Sequence, residues 1–244
     1  MITAGIDLAA EPKGTALAIL EFANNKANLV FLEQDLDDQT LIEQTINADK
    51  IGIDCAFGWP IEFAKFIAKH QDPTNKDLID GGMDFRRNLS HRQTDRQIRE
   101  LTGRWPLSVS TDRLGLTAMR CAGLLSRYQQ AGVAIDRSGS DKLAEVYPGA
   151  PLRNWDFETT NYRVNNDVRA RLLQHIKSQA PWLDTGFFET QMIESSDSFD
   201  AVIAALAARA VYQGEYTKPT EDQQAAAEIE GWICLPRGAI TSLI

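Results

Sequence analysis

Residues 5–9 read Gly-Ile-Asp-Leu-Ala, and residues 52–56 read Gly-Ile-Asp-Cys-Ala. Each copy closes a short apolar run, Ile2 to Ile6 in the first and Ile51 to Ile53 in the second. Each is therefore read as a buried strand ending in an acid. Side chains alternate along a strand, so Ile2, Ala4 and Ile6 share one face, with Thr3, Gly5 and Asp7 on the other. Ile51, Ile53 and Cys55 likewise stand opposite Gly52 and Asp54. Parallel pairing sets Asp7 beside Asp54, about 5 Å apart at the backbone. Two carboxylates at that spacing repel unless a proton or a cation lies between them. The expected cation is a divalent metal.

Working outward, residues 1–35 read as a β-meander. The first strand ends near Leu8, Glu11-Pro12-Lys13-Gly14 turns, and Thr15 to Glu21 form a second strand. Asn24-Asn25 then turns into a third strand, Ala27 to Glu33. Asp38 or Thr40 caps a short helix running to Asn47, and strand four follows, Lys50 to Ala56. Residues 57–141 interrupt the pattern. Pro60 opens a helix through Lys69, and Gln71 to Gly82 reads as loop. Arg92 to Leu101 reads as a helix ended by Gly103, and Ser110 or Thr111 caps a longer one from about Arg113 to Gln130. Leu143 to Tyr147 is strand five. Asn165 or Asn166 caps a helix over 167–179 with an apolar stripe, and Pro181 breaks it. Ser198 to Tyr212 is apolar nearly all round, so it is expected buried, its alanines allowing close approach to a sheet. A polar helix spans 220–230. The predicted architecture is α/β: a mixed five-stranded sheet, three antiparallel strands followed by parallel ones, with flanking helices. It forms one domain over 1–244, with a helical insertion at about 57–141 and a C-terminal extension at about 214–244.

The chain has 244 residues and a formal charge of −9. That charge argues against a permanent nucleic-acid coat, though not against an enzyme that touches nucleic acid through one basic patch. No stretch approaches the roughly 20 apolar residues of a membrane span. The N-terminus has no signal-peptide pattern, so the expected location is the cytoplasm. Cys55, Cys121 and Cys234 form no CxxC pair and are expected as buried free thiols.

Asp197 and Asp200 open the buried alanine helix, three residues apart and on one face. Asp197 serves as an N-cap on the simpler reading. Asp200 faces the sheet if a helix so apolar lies against it. In the insertion, Arg86, Arg87, Arg92, Arg96, Arg99, Arg104 and His91 crowd between residues 86 and 104, against Asp95 and Glu100. This is either a phosphate-binding patch, with Arg96 and Arg104 its first candidates, or a solvated helix face of internal ion pairs. His70 and His175 read as surface residues, and Trp59 as packing for the insertion.

An acid ending the first strand, another ending the fourth and Asp-x-x-Asp opening the last core helix resemble RNase H-like nucleases, Holliday-junction resolvases in particular. More closely, Gly-Ile-Asp near the N-terminus, Ile-Asp-Cys-Ala-Phe-Gly-Trp-Pro, Thr-Asp-Arg at 94–96, Glu-Val-Tyr-Pro at 145–148, Asp-Ser-Phe-Asp-Ala at 197–201 and Glu-Gly-Trp-Ile at 230–233 resemble domain-of-unknown-function family 429. That family is described as predicted nucleases with an RNase H fold. The resemblance implies that Asp7, Asp54 and Asp200 ligate Mg²⁺ or Mn²⁺, Asp7 bridging and Asp197 assisting, in a site that cleaves a phosphodiester of nucleic acid or of a smaller molecule. Asp54 stands where many of that superfamily carry Glu, and its shorter reach alters the metal spacing. Glu145, ending strand five, is either a further acid of this cleft or an ordinary strand-end acid. Tyr147 either stacks on a base or is a half-buried strand tyrosine. Two other readings stand beside the nuclease. One is a phosphotransferase of the actin and sugar-kinase kind, which also begins Gly-x-Asp but needs glycine-rich phosphate loops. The other is a non-catalytic binding module.

Overall fold

The computed structural model describes residues 1–244. Strands β1 (Ile2–Asp7), β2 (Ala16–Ala23) and β3 (Lys26–Gln34) form an antiparallel meander. Asn24 and Asn25 close the second hairpin at φ 52° and 58°, a left-handed pair that asparagine tolerates. Helix α1 (Asp38–Thr45) starts at Asp37, whose carboxylate accepts from the Thr40 amide, so the cap lies just ahead of the residues expected. Strand β4 (Lys50–Asp54) returns parallel to β1, pairing Gly5 with Gly52 and Asp7 with Asp54. Strand β5 (Leu143–Val146) lies parallel on the other side of β4, with Glu145 opposite Ile53 and Val146 opposite Asp54.

The sheet has six strands where the sequence predicts five, in the order β5-β4-β1-β2-β3-β6. The sixth, β6 (Leu183–Asp184), is too short to show any alternation. It forms where the chain, broken at Pro181, passes the open edge of β3 and the Trp182 carbonyl accepts from the Ala27 amide at 2.9 Å.

Between β4 and β5 run α2 (Ile61–Gln71), α3 (Gly82–Ser90), α4 (Gln93–Thr102) and α5 (Gly115–Gln130). The sequence reading has no counterpart of α3. Neither Ser110 nor Thr111 caps α5: their amides bond the Ser108 hydroxyl at 3.2 and 3.1 Å, and the helix begins later. After β5 come α6 (Gly149–Asn154), α7 (Asn166–Gln179), α8 (Glu189–Glu194), α9 (Ser196–Tyr212) and α10 (Gln224–Glu230). Asn165 caps α7 as expected, accepting from the Val168 amide at 3.1 Å. No helix is long and apolar enough to cross a membrane.

The sheet separates two cores. Ala4, Ile6, Ile51 and Ile53 pack with Leu41 of α1 and with Cys121, Leu124 and Tyr128 of α5. On the opposite face Phe199, Val202 and Leu206 of α9 meet Leu173 and Ile176 of α7. Helix α9 rides almost on the backbone of β1 and β4. A Cβ on Gly5 would lie 2.1 Å from the Ala201 carbonyl oxygen, and one on Gly52 would lie 2.6 Å from that of Ala204. Gly5→Ala is therefore expected to cost more than about 3 kcal/mol, since neither backbone can yield. Gly123→Ala, in the interior of α5 with nothing within 4 Å of its added methyl, should gain about 1 kcal/mol. Urea unfolding of the two variants checks both signs.

Candidate functional site

Asp7 and Asp54 end adjacent strands in register, so both carboxylates leave the face that α9 covers. Helix α9 begins at Ser195, whose hydroxyl accepts from the Ser198 amide at 3.1 Å. Asp197 is thus not the cap; it lies in the first turn. Asp200 follows on the sheet side and is 2% exposed. Its carboxylate is held from the loop before α7: the Tyr162 hydroxyl donates to Oδ1 at 2.8 Å, and Arg163 Nη2 lies 2.8 Å from Oδ2. The same nitrogen lies 3.5 Å from Asp54 Oδ2, and Arg163 Nε donates to the Tyr162 oxygen at 3.1 Å. Sequence reasoning missed both residues. They sit in a polar turn without periodicity, and a Tyr-Arg pair there carries no motif.

Burial, then the charges of Asp54 and Asp200, raise the Asp7 pKa well above its ordinary value, against the pull of Arg163. Burial raises Asp54 to about 7, opposed by Arg163 and assisted by Asp200 and Glu145. Asp200 is raised chiefly by burial too, while Arg163 and the Tyr162 hydrogen bond hold it down. Two small cavities open here. One, of about 170 Å³, is bordered by Asp7, Asp54, Tyr147 and Arg163; the other, of about 270 Å³, by Asp7, Asp197, Asp200 and Arg163. Arg163 borders both.

Three carboxylates offer the hard oxygen donors that suit a divalent cation. Their arrangement with Arg163 in place does not suit one. No group of three or more His, Cys, Asp or Glu side chains is disposed to hold an ion, and the guanidinium supplies the balancing charge.

Glu145, with Arg92, borders the first cavity beside Asp7 and Asp54, as the sequence allowed, but it is not bonded to Arg163. It pairs with Ile53, one residue out of step with Asp54, so its side chain leaves the opposite face of the sheet. There it receives the Phe57 amide at 2.9 Å and both terminal nitrogens of Arg92 at 2.9 and 2.7 Å. Arg92, expected as a phosphate contact, is 3% exposed and also bonds Asp95 and the Glu230 carbonyl. It is a buried structural cation. Of the remaining arginines, Arg86 pairs with Asp80, Arg87 with Asp84, and Arg96 donates to Asn88. Arg99 and Arg104 make no ion pair, and His91 stacks on Trp105 at 4.2 Å between ring centres. None of Arg96, Arg99, Arg104 and His91 borders either cavity, whereas Tyr147 borders the first. The three cysteines are free and buried.

Two outcomes follow. Asp54 holds a proton in the folded chain up to about pH 7, while an unfolded one releases it near 3.8, so folding stability falls as pH rises through that window. Asp54→Asn should flatten that slope in a pH series of thermal melts and raise Tm at mildly alkaline pH, by about 2–4 °C per kcal/mol recovered. Arg92→Ala leaves two buried acids, Asp95 and Glu145, without their cation. It should cost about 3–5 kcal/mol in urea unfolding.

No curated protein and no solved structure matches this sequence. A family model does match, over residues 5–224. The chain belongs to the family which that model describes, Protein of unknown function (DUF429).

Proposed function

We propose that this protein is a divalent-metal-dependent phosphodiester hydrolase, nuclease or phosphodiesterase, built on an RNase H-like sheet. One observation carries the reading: Asp7 faces Asp54 in strict register, and α9 presses a third, buried acid, Asp200, against them. Burying three carboxylates together opposes folding, and ordinary strand-end acids have no need of it. Asp7, Asp54 and Asp200 would hold Mg²⁺ or Mn²⁺, with Asp197 beside them. Bound there, the ion would supply Lewis acidity and a lowered pKa for water.

The chain's own residues do the rest. Tyr162 fixes the rotamer of Asp200 through its hydroxyl. Arg163, its side chain 46% exposed, can turn outward to solvent and is then free to pair with a phosphate oxygen. In the net reaction a water oxygen bonds to phosphorus, one ester P–O bond breaks, and a proton of that water ends on the departing oxygen. Three free thiols fit a reducing compartment such as the cytoplasm.

A non-catalytic binding module is the second reading, and one observation favours it: Arg163 already neutralises Asp54 and Asp200. Nothing favours a phosphotransferase. A phosphate loop points amides at its ligand, whereas the first hairpin loop turns the Ala9 and Glu11 carbonyls onto Arg120, and its Ala9 and Gly14 amides bond Thr15 and Asp35.

The test is Mn²⁺-dependent hydrolysis of a panel of nucleic acids and small phosphodiesters. Asp7→Asn should abolish turnover and the Mn²⁺-induced rise in Tm. Arg163→Ala, which removes the competing cation, should tighten Mn²⁺ binding about tenfold by calorimetry. Hydrolysis of no panel member, with Tm indifferent to Mn²⁺, leaves only the binding module.

A further inference from the structure

The lining of the cavity beside Asp7 and Asp54 is of two kinds: the carboxylates of Asp7, Asp54 and Glu145 with Arg92 and Arg163, and the apolar side chains of Leu8, Pro106, Leu107 and Leu114. Its volume of about 170 Å³ is well under the roughly 300–1,000 Å³ of pockets that take drug-sized ligands. It has room for one flat ring beside one charged group. The wall is built in advance. Between α4 and α5 the chain is tied down by the buried Ser108, whose hydroxyl donates to the Ser90 carbonyl at 2.5 Å and whose amide donates to Asp112 at 2.7 Å. The Trp105 ring is clamped on His91, and Leu107 projects from this segment with 57% exposure at the rim.

A polymeric substrate makes a different demand. A protein that tracks a strand sets cations against successive phosphates. Here Arg86 and Arg87 are paired with Asp80 and Asp84, Arg92 is buried, Arg96, Arg99 and Arg104 border neither cavity, and the whole chain carries a formal charge of −9. The one guanidinium that borders the cavity and reaches solvent is Arg163. That is enough for one phosphate and one apolar neighbour.

We infer that the site takes a small phosphoester, a single anionic phosphate joined to one nucleobase-sized or aryl group seated against Leu107 and Leu114, and not a nucleic-acid strand. This rests on the hydrolase reading for its polar part, and its apolar part stands on the cavity alone. The test is calorimetric binding, with Mn²⁺ present, of methyl p-nitrophenyl phosphate and of a single-stranded oligonucleotide to the full chain. The ester should bind with a salt dependence of about one phosphate, and the oligonucleotide no tighter. Leu107→Asp, at an exposed position that folding does not need, should weaken the ester at least about tenfold, and Leu107→Met should restore it. The inference is overturned if the ester does not bind, if Leu107→Asp leaves its affinity unchanged, or if the strand binds more than about tenfold tighter with a steep salt dependence. Ester that binds at Leu107 yet is never hydrolysed would sink the hydrolase reading and leave this one standing.

Discussion

Helix α9 reaches the sheet only because β1 and β4 offer it backbone where other strands would offer side chains. Gly5 and Gly52 lie side by side in register, and above them Ala201, Ala204 and Ala205 bring the helix so close that a methyl group has no place. This close approach fixes the distance between two things otherwise independent, the carboxyl ends of two parallel strands and the first turns of a distant helix. Asp200 is buried against Asp7 and Asp54 for that reason. The burial that raises all three carboxyl pKa values is a direct consequence of the packing.

Such a cluster needs a positive charge, and the chain provides one from a loop. Arg163 bridges Asp200 and Asp54 while remaining nearly half exposed. A buried, fully enclosed arginine would have made a permanent ion pair, as Arg92 does on the other face of the sheet. A cation that keeps contact with solvent can be exchanged for another. Under the proposed function the two arginines mark the difference between a place where charge is locked and a place where it can be replaced, although both contact acids on neighbouring strands.

Much of this was legible in the sequence. The repeated Gly-Ile-Asp gave two strands whose parallel pairing set Asp7 by Asp54, and the alanine-rich run gave a helix too apolar to lie anywhere but on the sheet. Those inferences succeed because they rest on alternation and composition, which a strand or a long helix repeats several times. What failed rests on single residues. Register placed Glu145: Val146 aligns with Asp54, so Glu145, one residue out of step, borders the cleft while tied to Arg92. Strand β6 is too short to have a pattern, and α3 is short and polar. Tyr162 and Arg163 are brought to Asp200 by a turn whose path no local rule predicts. The arginine-rich stretch looked like one patch because residues close in sequence look like neighbours. In the fold Arg86 and Arg87 pair with separate surface acids, Arg92 is locked deep inside, Arg96 bonds Asn88, and Arg99 and Arg104 make no ion pair.

The stretches that carry the family resemblance divide the same way. Thr-Asp-Arg at 94–96, Glu-Val-Tyr-Pro at 145–148 and Glu-Gly-Trp-Ile at 230–233 come from three distant segments, and they meet in one buried knot. The Thr94 hydroxyl accepts from the Ile233 amide at 2.8 Å, Arg92 joins Asp95 to Glu145, and Glu230 receives the Ile61 and Gln93 amides. Gly231, at φ 85°, passes so near Glu145 that a Cβ would lie 2.5 Å from Oε2. The knot ties the helical insertion and the C-terminal segment to β5 directly behind the acid cluster. Its polar residues are therefore explained by the geometry of attachment, since each carboxylate in it accepts hydrogen bonds from within the knot. The proposed chemistry falls to the smaller set that shares one half-exposed cation: Asp7, Asp54 and Asp200, with Arg163.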